Sequence, residues 1–294
     1  MQYIAATGGL GNQMFTYAFM VARSKKGQAT FFHPYRRHSY HYGQEGLQVD
    51  RIFQLREEDR HCSVRCLAFS LYWCLSRLFP HRIRVFLYKM VGIEIVQVPE
   101  NFVYYHYITE REYTKALFRG TWQSELYFKG VEKEVRTAFQ FREDLLNEKT
   151  RLTGQMLDSC PVSVSVHIRR NDYLSEQYIS GFGGICTKEY YEAAIARIKQ
   201  FFSDITLYFF SDDISWCREA FSVNNAVFVD WNVGKDSWQD MYLMSKCHSN
   251  IIANSTFSWW GAWLNRHPDK VVIAPKKWWN GIEDDVVPGT WIRL

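Results

Sequence analysis

Two adjacent arginines, Arg169 and Arg170, directly follow the apolar run VSVSVHI at residues 162–168. The run has the composition of a buried strand, so both guanidinium groups are predicted to lie at a strand end. Arginine makes bidentate contacts with phosphates and carboxylates, and one of the two is predicted to bind a diphosphate. The alternative is a salt bridge from either arginine to Asp172. Successive side chains of an extended segment point in opposite directions, so one arginine can pair with a protein carboxylate while the other faces a ligand.

A second set of polar residues, Asn254, Ser255, Thr256 and Ser258, begins a predicted helix. Such residues are ordinary helix N-caps. Backbone N–H groups and hydroxyls at a helix start also make a good phosphate site, so both interpretations hold together.

The glycine cluster TGGLGNQMF, residues 7–15, follows a short apolar run. A dinucleotide fingerprint would need a third glycine where Met14 stands and an acidic residue about 20 positions later, where the chain has Thr30 and two phenylalanines. A Walker A loop would need a lysine and a hydroxyl where Asn12 and Gln13 stand. The remaining interpretations are a tight turn between strand and helix, or a turn that a ligand approaches closely.

The second half of the chain alternates apolar strands with helical segments, which indicates a parallel sheet with helices on both faces. Ligands of such sheets bind at the carboxyl ends of the strands. Strands are predicted at 162–168, 206–210, 226–229, 250–253 and 270–274. The first half is less regular, with a strand at 2–6 and a helix over 12–26. Two domains are predicted, residues 1–155 and 156–294.

The composition is that of an ordinary globular protein. Of 294 residues, 47% are hydrophobic, and 35 Lys and Arg against 31 Asp and Glu give a net charge of +4 without a long basic run. Nucleic acid is therefore not an expected partner. Seven scattered cysteines favour a reducing compartment and match no paired zinc pattern.

The most apolar stretch, 67–79, is too short to span a bilayer and is predicted to form a buried or interfacial helix. Arg77, Arg82 and Arg84 nearby suit a weak association with a membrane surface. We expect a bacterial, cytoplasmic protein with at most peripheral membrane association.

Four segments together carry a resemblance to a known family: GGLGNQMFTYA, SVHIRRNDYL, FFSDD and NIIANSTFSWWGAWLN. They resemble the alpha-1,2-fucosyltransferases of glycosyltransferase family 11, including the full H-x-R-R-x-D pattern. The resemblance implies an α/β, GT-B-like fold of two facing Rossmann-type domains with parallel sheets. It further implies inverting transfer of L-fucose from GDP-fucose to the 2-hydroxyl of a terminal galactose. The N-terminal domain would lie on the acceptor side, and the C-terminal domain would bind GDP-fucose.

The resemblance also assigns roles to residues. Arg169 would hold the β-phosphate and stabilise the leaving GDP, and His167 and Asp240 would approach the guanine. Asn12 would lie close to the reacting sugar. The other residues expected to bind the donor are Gly11, Gln13, Asn254, Ser255, Thr256, Phe257 and Ser258.

An arginine would take the place of the divalent metal that many sugar-nucleotide enzymes hold with D-x-D, since no such motif occurs. No cofactor is expected. The adjacent pairs Asp212-Asp213 and Asp284-Asp285 remain possible metal ligands, although solvated loop carboxylates are the favoured interpretation. Asp172 is a candidate general base and equally a structural partner of Arg170. Asn12 would orient the acceptor or a water molecule.

The acceptor, a galactose-terminated oligosaccharide, is expected to contact the first half of the chain. His33 and Tyr35, in an aromatic and basic stretch, and Trp122 and Gln123 could stack on a sugar and bond to it. The alternative for 33–42 is a surface loop. Two other classes stay open: a GT-B transferase for another nucleotide sugar, and a noncatalytic carbohydrate-binding protein suggested by the 11 tryptophans.

Overall fold

The computed structural model divides the chain into two compact units, Met1–Phe141 (unit 1) and Arg142–Leu294 (unit 2). Each unit is built around its own parallel sheet. The structure describes residues 1–6, 8–32, 47–55, 69, 71–73, 75–76, 78–99, 101–171, 173–281 and 283–294.

In unit 1 the described strands pair in parallel in the order β2-β1-β4-β3. The carboxyl ends of β1 and β4 are neighbours, so the turns that follow these two strands lie side by side. The elements are β1 (Gln2–Ala5), α1 (Leu10–Ser24), β2 (Ala29–Phe32), α2 (Val49–Ile52), α3 (His81–Met90), β3 (Glu94–Gln97), α4 (His106–Glu110), β4 (Ala116–Arg119), a 3₁₀ turn (Glu125–Phe128) and α5 (Glu132–Ala138).

Helix α1 begins at Leu10, inside the glycine cluster and directly after Gly8 and Gly9. Gly8 has φ of +77°, and a Cβ there would meet Asn12 Nδ2 at 2.5 Å, so both conformation and space require glycine. Most of α1 is buried, and Phe19 stacks on Trp122 with ring centroids 4.0 Å apart. The helix is thus fixed from all sides and holds the glycine turn at the end of β1.

In unit 2 the described strands pair in parallel in the order β10-β9-β8-β5-β6-β7. All six residues of β5 are buried, as expected of a central strand covered on both faces. The elements are a 3₁₀ turn (Glu143–Leu145), α6 (Glu148–Ser159), β5 (Ser163–Ile168), α7 (Ile179–Phe182), α8 (Lys188–Ile198), β6 (Thr206–Ser211), α9 (Ile214–Ala220), β7 (Ala226–Val229), a 3₁₀ turn (Gly234–Asp236), α10 (Trp238–Lys246), β8 (Ser249–Ile251), α11 (Thr256–Leu264), β9 (Val272–Ala274) and β10 (Ile292–Arg293).

The α/β class with parallel sheets is confirmed in both units, and the strands predicted in the second half are observed with small shifts at their ends. The division between the units differs from the predicted boundary, because it falls between residues 141 and 142 rather than between 155 and 156. Helix α6 belongs to unit 2: Thr150 Oγ1 donates to Asn232 Oδ1 at 2.9 Å, and Gly154 packs against Tyr242. The predicted roles of the two domains stay predictions.

Helical residues are observed within the predicted segment 67–79, at 69, 71–73 and 75–76. Leu71 and Leu75 are exposed there, whereas Phe69 and Trp73 are buried, which agrees with an interfacial helix. In the ranges that the structure describes, every helix is too short or too polar to cross a bilayer.

Candidate active site

Arg169 lies just after the carboxyl end of β5, where Asp212 orients it. Its Nε is 3.3 Å from Asp212 Oδ2, and its side chain remains partly exposed. Asp212 also accepts hydrogen bonds from the backbone N–H groups of Arg170 (2.9 Å) and Asn171 (3.2 Å). Because β5 and β6 are adjacent parallel strands, the residue after β6 reaches the loop after β5. One carboxylate therefore fixes both the loop and the guanidinium.

Arg170 is held by contacts within unit 2. Its Nε donates to Asp213 Oδ2 at 3.1 Å, and its guanidinium lies 4.0 Å from the ring centroid of Trp216. Asp213 also caps α9 by accepting from the backbone N–H of Trp216. Both arginines are therefore paired with a carboxylate, and the Arg169 side chain is 37% exposed against 28% for Arg170. That one of them binds a diphosphate stays a prediction. The carboxylate partners are Asp212 and Asp213; Asp172, the expected partner and candidate base, lies outside the described residues.

The start of α11 supplies backbone N–H groups close to partly exposed side chains of Thr256 and Phe257. Ser255 Oγ caps the helix by accepting from the N–H of Phe257 at 3.4 Å. Ser258 is fully buried, and its hydroxyl donates to the carbonyls of Ala253 and Ser255. We therefore correct the role of the Ser258 side chain from donor contact to support of the helix start.

Asn254 ties together three segments of unit 2. Its Nδ2 donates to the carbonyls of Phe182 and Trp278, both at 3.2 Å, and its Oδ1 accepts from Cys186 Sγ. Its own carbonyl accepts from the Tyr173 hydroxyl at 2.8 Å. The buried carboxamide is occupied by these contacts. A donor contact of Asn254 would therefore have to use its backbone, and it stays a prediction.

His167 is the penultimate residue of β5 and is only 5% exposed. Its ring lies 5.7 Å from that of Phe257 at the start of α11. Burial, with a contribution from the Arg169 charge, lowers the pKa of His167 to about 3, so the imidazole is neutral at physiological pH. Its Nδ1 is buried and has no hydrogen-bond partner among the described residues. A neutral nitrogen of this kind fits a polar ligand group.

Asp240 lies in the first turn of α10 in a chain of polar contacts. Its Oδ1 accepts from Asn232 Nδ2 at 2.9 Å, and Asn232 Oδ1 accepts from Asn147 (2.8 Å) and Thr150 (2.9 Å). Burial raises the pKa of Asp240 to about 8, and the hydrogen bond from Asn232 offsets this only in part. Sequence reasoning missed Asn232, although the polar segment DWN after β7 was a signal.

In unit 1 the structure brings together two of the predicted residues. Gln123 Nε2 donates to Asn12 Oδ1 at 3.0 Å, across the adjacent carboxyl ends of β1 and β4. Gln13, by contrast, is fully buried: its Nε2 donates to the Gly8 carbonyl, and its Oε1 accepts from the N–H of Gln48. We therefore correct the Gln13 side chain from a donor contact to a support of the glycine turn. Gly11 is buried in the first turn of α1.

Trp122 is 1% exposed and packs in the core of unit 1. Its ring stacks on Phe19 at an interplanar angle of 12° and meets Tyr127 edge-on. The prediction that this indole stacks on a sugar is wrong, because both faces are enclosed by unit 1. His33 and Tyr35 lie outside the described residues.

The aspartate pairs considered as metal ligands have protein partners instead. Asp212 and Asp213 hold the two arginines, and Asp284 forms an ion pair with Arg293 at 3.2 Å while accepting from the N–H of Trp278. The interpretation of Asp284 as a solvated loop carboxylate is wrong, since its side chain is 6% exposed. Over the described ranges, no three His, Cys, Asp or Glu side chains come close enough to hold a metal ion.

Residues 76–285, more than two thirds of the chain, match the sequence profile of Glycosyl transferase family 11. The chain belongs to glycosyl transferase family 11. An Escherichia coli alpha-1,2-colitosyltransferase is 33% identical over 301 residues, covering 98% of this chain and 96% of that protein. A galactoside alpha-(1,2)-fucosyltransferase of Ateles belzebuth is 25% identical over 145 residues, 47% of this chain and 40% of that protein.

The fold is also similar to that of a solved fucosyltransferase, NodZ from Bradyrhizobium. The TM-score is 0.53 at 12% identity, with 88% of this chain and 91% of NodZ covered. A crystal structure of NodZ soaked with GDP-fucose has also been solved. At this identity the likeness shows the fold alone, and it confirms the predicted GT-B-like α/β class.

Proposed function

We propose that this family 11 glycosyltransferase transfers L-fucose from GDP-fucose, with inversion, to the 2-hydroxyl of a terminal galactose. The observation that carries the proposal is Arg169, a partly exposed cation held by Asp212 at the carboxyl edge of the unit 2 sheet. Membership of the family supports glycosyl transfer, and the name of the Ateles belzebuth relative supports the galactoside and the alpha-1,2 linkage.

Arg169 would act on the leaving group. As the acceptor oxygen bonds to C1 of fucose, the bond from C1 to the β-phosphate oxygen breaks and its electron pair stays on GDP. The acceptor hydroxyl loses its proton to a base. Negative charge grows on the diphosphate, so a cation already oriented by Asp212 stabilises the transition state more than the ground state. A guanidinium has five N–H donors, so the contact with Asp212 is compatible with phosphate binding.

We further propose that this reaction needs no metal ion. Asp212 and Asp213, the acidic pair nearest to Arg169 in the fold, form ion pairs with two arginines and accept hydrogen bonds from backbone N–H groups. A metal ion in their place would have to displace those contacts. The cationic role then belongs to Arg169.

The guanine would be recognised by Asp240, with His167 as a neutral neighbour of the donor. The N1–H and N2–H groups of guanine both donate, and a carboxylate accepts both. Binding two donors would stabilise the ionised form of a carboxyl that burial otherwise keeps protonated. Thr256, Phe257 and the N–H groups of α11 would contact the phosphates and ribose, a role that a helix start suits.

Asn12 would contact the reacting sugar or the acceptor hydroxyl, with Gln123 holding its carboxamide in orientation. An amide is not a strong base, so its proposed role is to position the acceptor.

A second donor, GDP-colitose, is favoured by one observation. The colitosyltransferase matches almost the whole chain, whereas the fucosyltransferase relative matches about half of it. Colitose is L-fucose without the 3-hydroxyl. A site that hydrogen-bonds the 3-hydroxyl rejects the deoxy sugar by a factor of about 10⁴, whereas a site without such a contact discriminates weakly.

The test is competition between the two donors in one reaction with lactose as acceptor, first with EDTA and then with added Mg²⁺. We expect 2-fucosyllactose as the main product, identified by NMR, with equal rates in both conditions. A product with colitose in excess would transfer the proposal to the second donor. A linkage to another hydroxyl would refute the regiochemistry, and loss of activity in EDTA that Mg²⁺ restores would refute the metal-free mechanism.

A further inference from the structure

One stretch of unit 1 exposes an unusual amount of apolar side chain. Eight large apolar residues between positions 71 and 91 are each at least 44% exposed, and Leu78 reaches 78% and Met90 69%. Extended apolar patches on a protein surface mark sites of interaction. We call these eight residues the apolar face: Leu71, Leu75, Leu78, Phe79, Ile83, Phe86, Met90 and Val91.

Helix α3 shows how the apolar face is presented. Ile83, Phe86 and Met90 follow one another at steps of three and four residues, so they lie on one side of the helix. Tyr88 lies on the opposite side and is fully buried, where its ring meets Tyr72 edge-on. The helix is thus anchored to unit 1 by Tyr88 and turns its apolar stripe toward solvent.

The charged residues in the stretch of chain that carries the apolar face are all positive. Residues 60–93 contain six Arg or Lys and no Asp or Glu. On α3, Arg82 and Lys89 are exposed and stand seven residues apart, each directly before a residue of the apolar stripe. Positive side chains therefore border the apolar side chains along one flank of the helix.

We propose that the apolar face docks unit 1 on the surface of an anionic phospholipid bilayer. Apolar side chains would enter the boundary between headgroups and acyl chains, and Arg82 and Lys89 would meet the negative headgroups. The helices described are too short or too polar to span a bilayer, so docking would be parallel to the surface. A second copy of this chain is a poorer occupant, because two identical faces would bring like charges together.

The test is flotation of the purified protein with two kinds of vesicle, phosphatidylcholine alone and phosphatidylcholine with about one third phosphatidylglycerol. We expect the wild type to float with the anionic vesicles at least tenfold more than with the neutral ones. Higher salt should weaken this binding, because the charges are screened. The double variant Phe86→Ser, Met90→Ser should lose at least tenfold of the binding.

Two further variants separate the causes. Arg82→Glu with Lys89→Glu should abolish the preference for anionic vesicles. Leu152→Ser with Met156→Ser changes two exposed apolar residues on α6 in unit 2 and should bind as the wild type does. The proposal is overturned if the wild type does not float with anionic vesicles, or if the α3 and α6 variants behave alike. It is also overturned if the wild type is a dimer by light scattering that the Phe86, Met90 variant converts to a monomer.

Discussion

The raised pKa of the Asp240 carboxyl leads to a prediction about donor binding. The pKa of this carboxyl is about 8 in the absence of ligand, because burial disfavours the charged form. If guanine is bound through the carboxylate, binding must remove a proton below pH 8. The apparent affinity should then approach a tenfold fall for each pH unit below 8, and should be roughly fiftyfold weaker near pH 6 than near pH 8.

The assay is isothermal titration calorimetry with GDP-fucose in the absence of acceptor. The diphosphate of this ligand is esterified at both ends and does not titrate in this range, whereas the terminal phosphate of GDP does. Repeating the titration near pH 7 in buffers of different ionisation enthalpy should reveal the release of about 0.9 proton per ligand. His167 does not interfere, since its pKa is about 3.

The matched variant is Asp240→Asn, which keeps the size of the side chain and the contact with Asn232. Its carboxamide has one acceptor where guanine needs two, so binding should be weaker above pH 8 and independent of pH. The reasoning is refuted if the wild type binds GDP-fucose equally well at both ends of this pH range. A slope that persists in Asp240→Asn would equally refute it, because the titrating group would then lie elsewhere.

Substitutions at three other residues give separate predictions. Arg169→Ala should lower kcat by about a hundredfold or more, because a transition-state contact is lost, and Arg169→Lys should restore only part of kcat. A near-normal kcat in Arg169→Ala would contradict the phosphate role. Trp122→Ala should lower the free energy of unfolding by about 3 kcal/mol in a urea titration, because it leaves a cavity at a buried site. Trp122→Phe should retain the wild-type KM for lactose, and a large rise in that KM would restore a sugar-binding role. Asp284→Ala should lower the free energy of unfolding by about 2 kcal/mol, because it leaves the N–H of Trp278 and the Arg293 guanidinium without this partner. Asp285→Ala, at an exposed position, serves as control, and equal stability of both variants would contradict the structural role.

Much of unit 2 could be predicted from local patterns. A parallel sheet buried on both faces needs continuous apolar strands, so β5, β6 and β7 are legible in the chain. The same reasoning placed Arg169 at a strand end and Ser255 at a helix start, because both follow directly from where an element begins or ends. The family followed from the order of several such motifs, and the sequence profile confirms it.

The partners of these residues could not be predicted in the same way. Asp212 reaches Arg169 only because β6 pairs with β5, and the order of strands in a sheet is not a local property. The burial of Trp122 likewise depends on a side chain distant in sequence, Phe19. Arg293 lies only nine residues from Asp284, but no local periodicity predicts their ion pair. Both Trp122 and Asp284 looked accessible in a polar segment.

The sequence by itself determined the class of fold, the family and the positions at which charged groups meet strand and helix ends, because periodicity and end signals are local. The tertiary structure decided which of those groups are occupied as supports, as with Asn254 and Gln13, and which remain partly exposed, as with Arg169. It also decided the charge state of Asp240, whose pKa is set by burial. Burial and pairing arise from packing among segments far apart in the chain, and this is why they appear only in the folded protein.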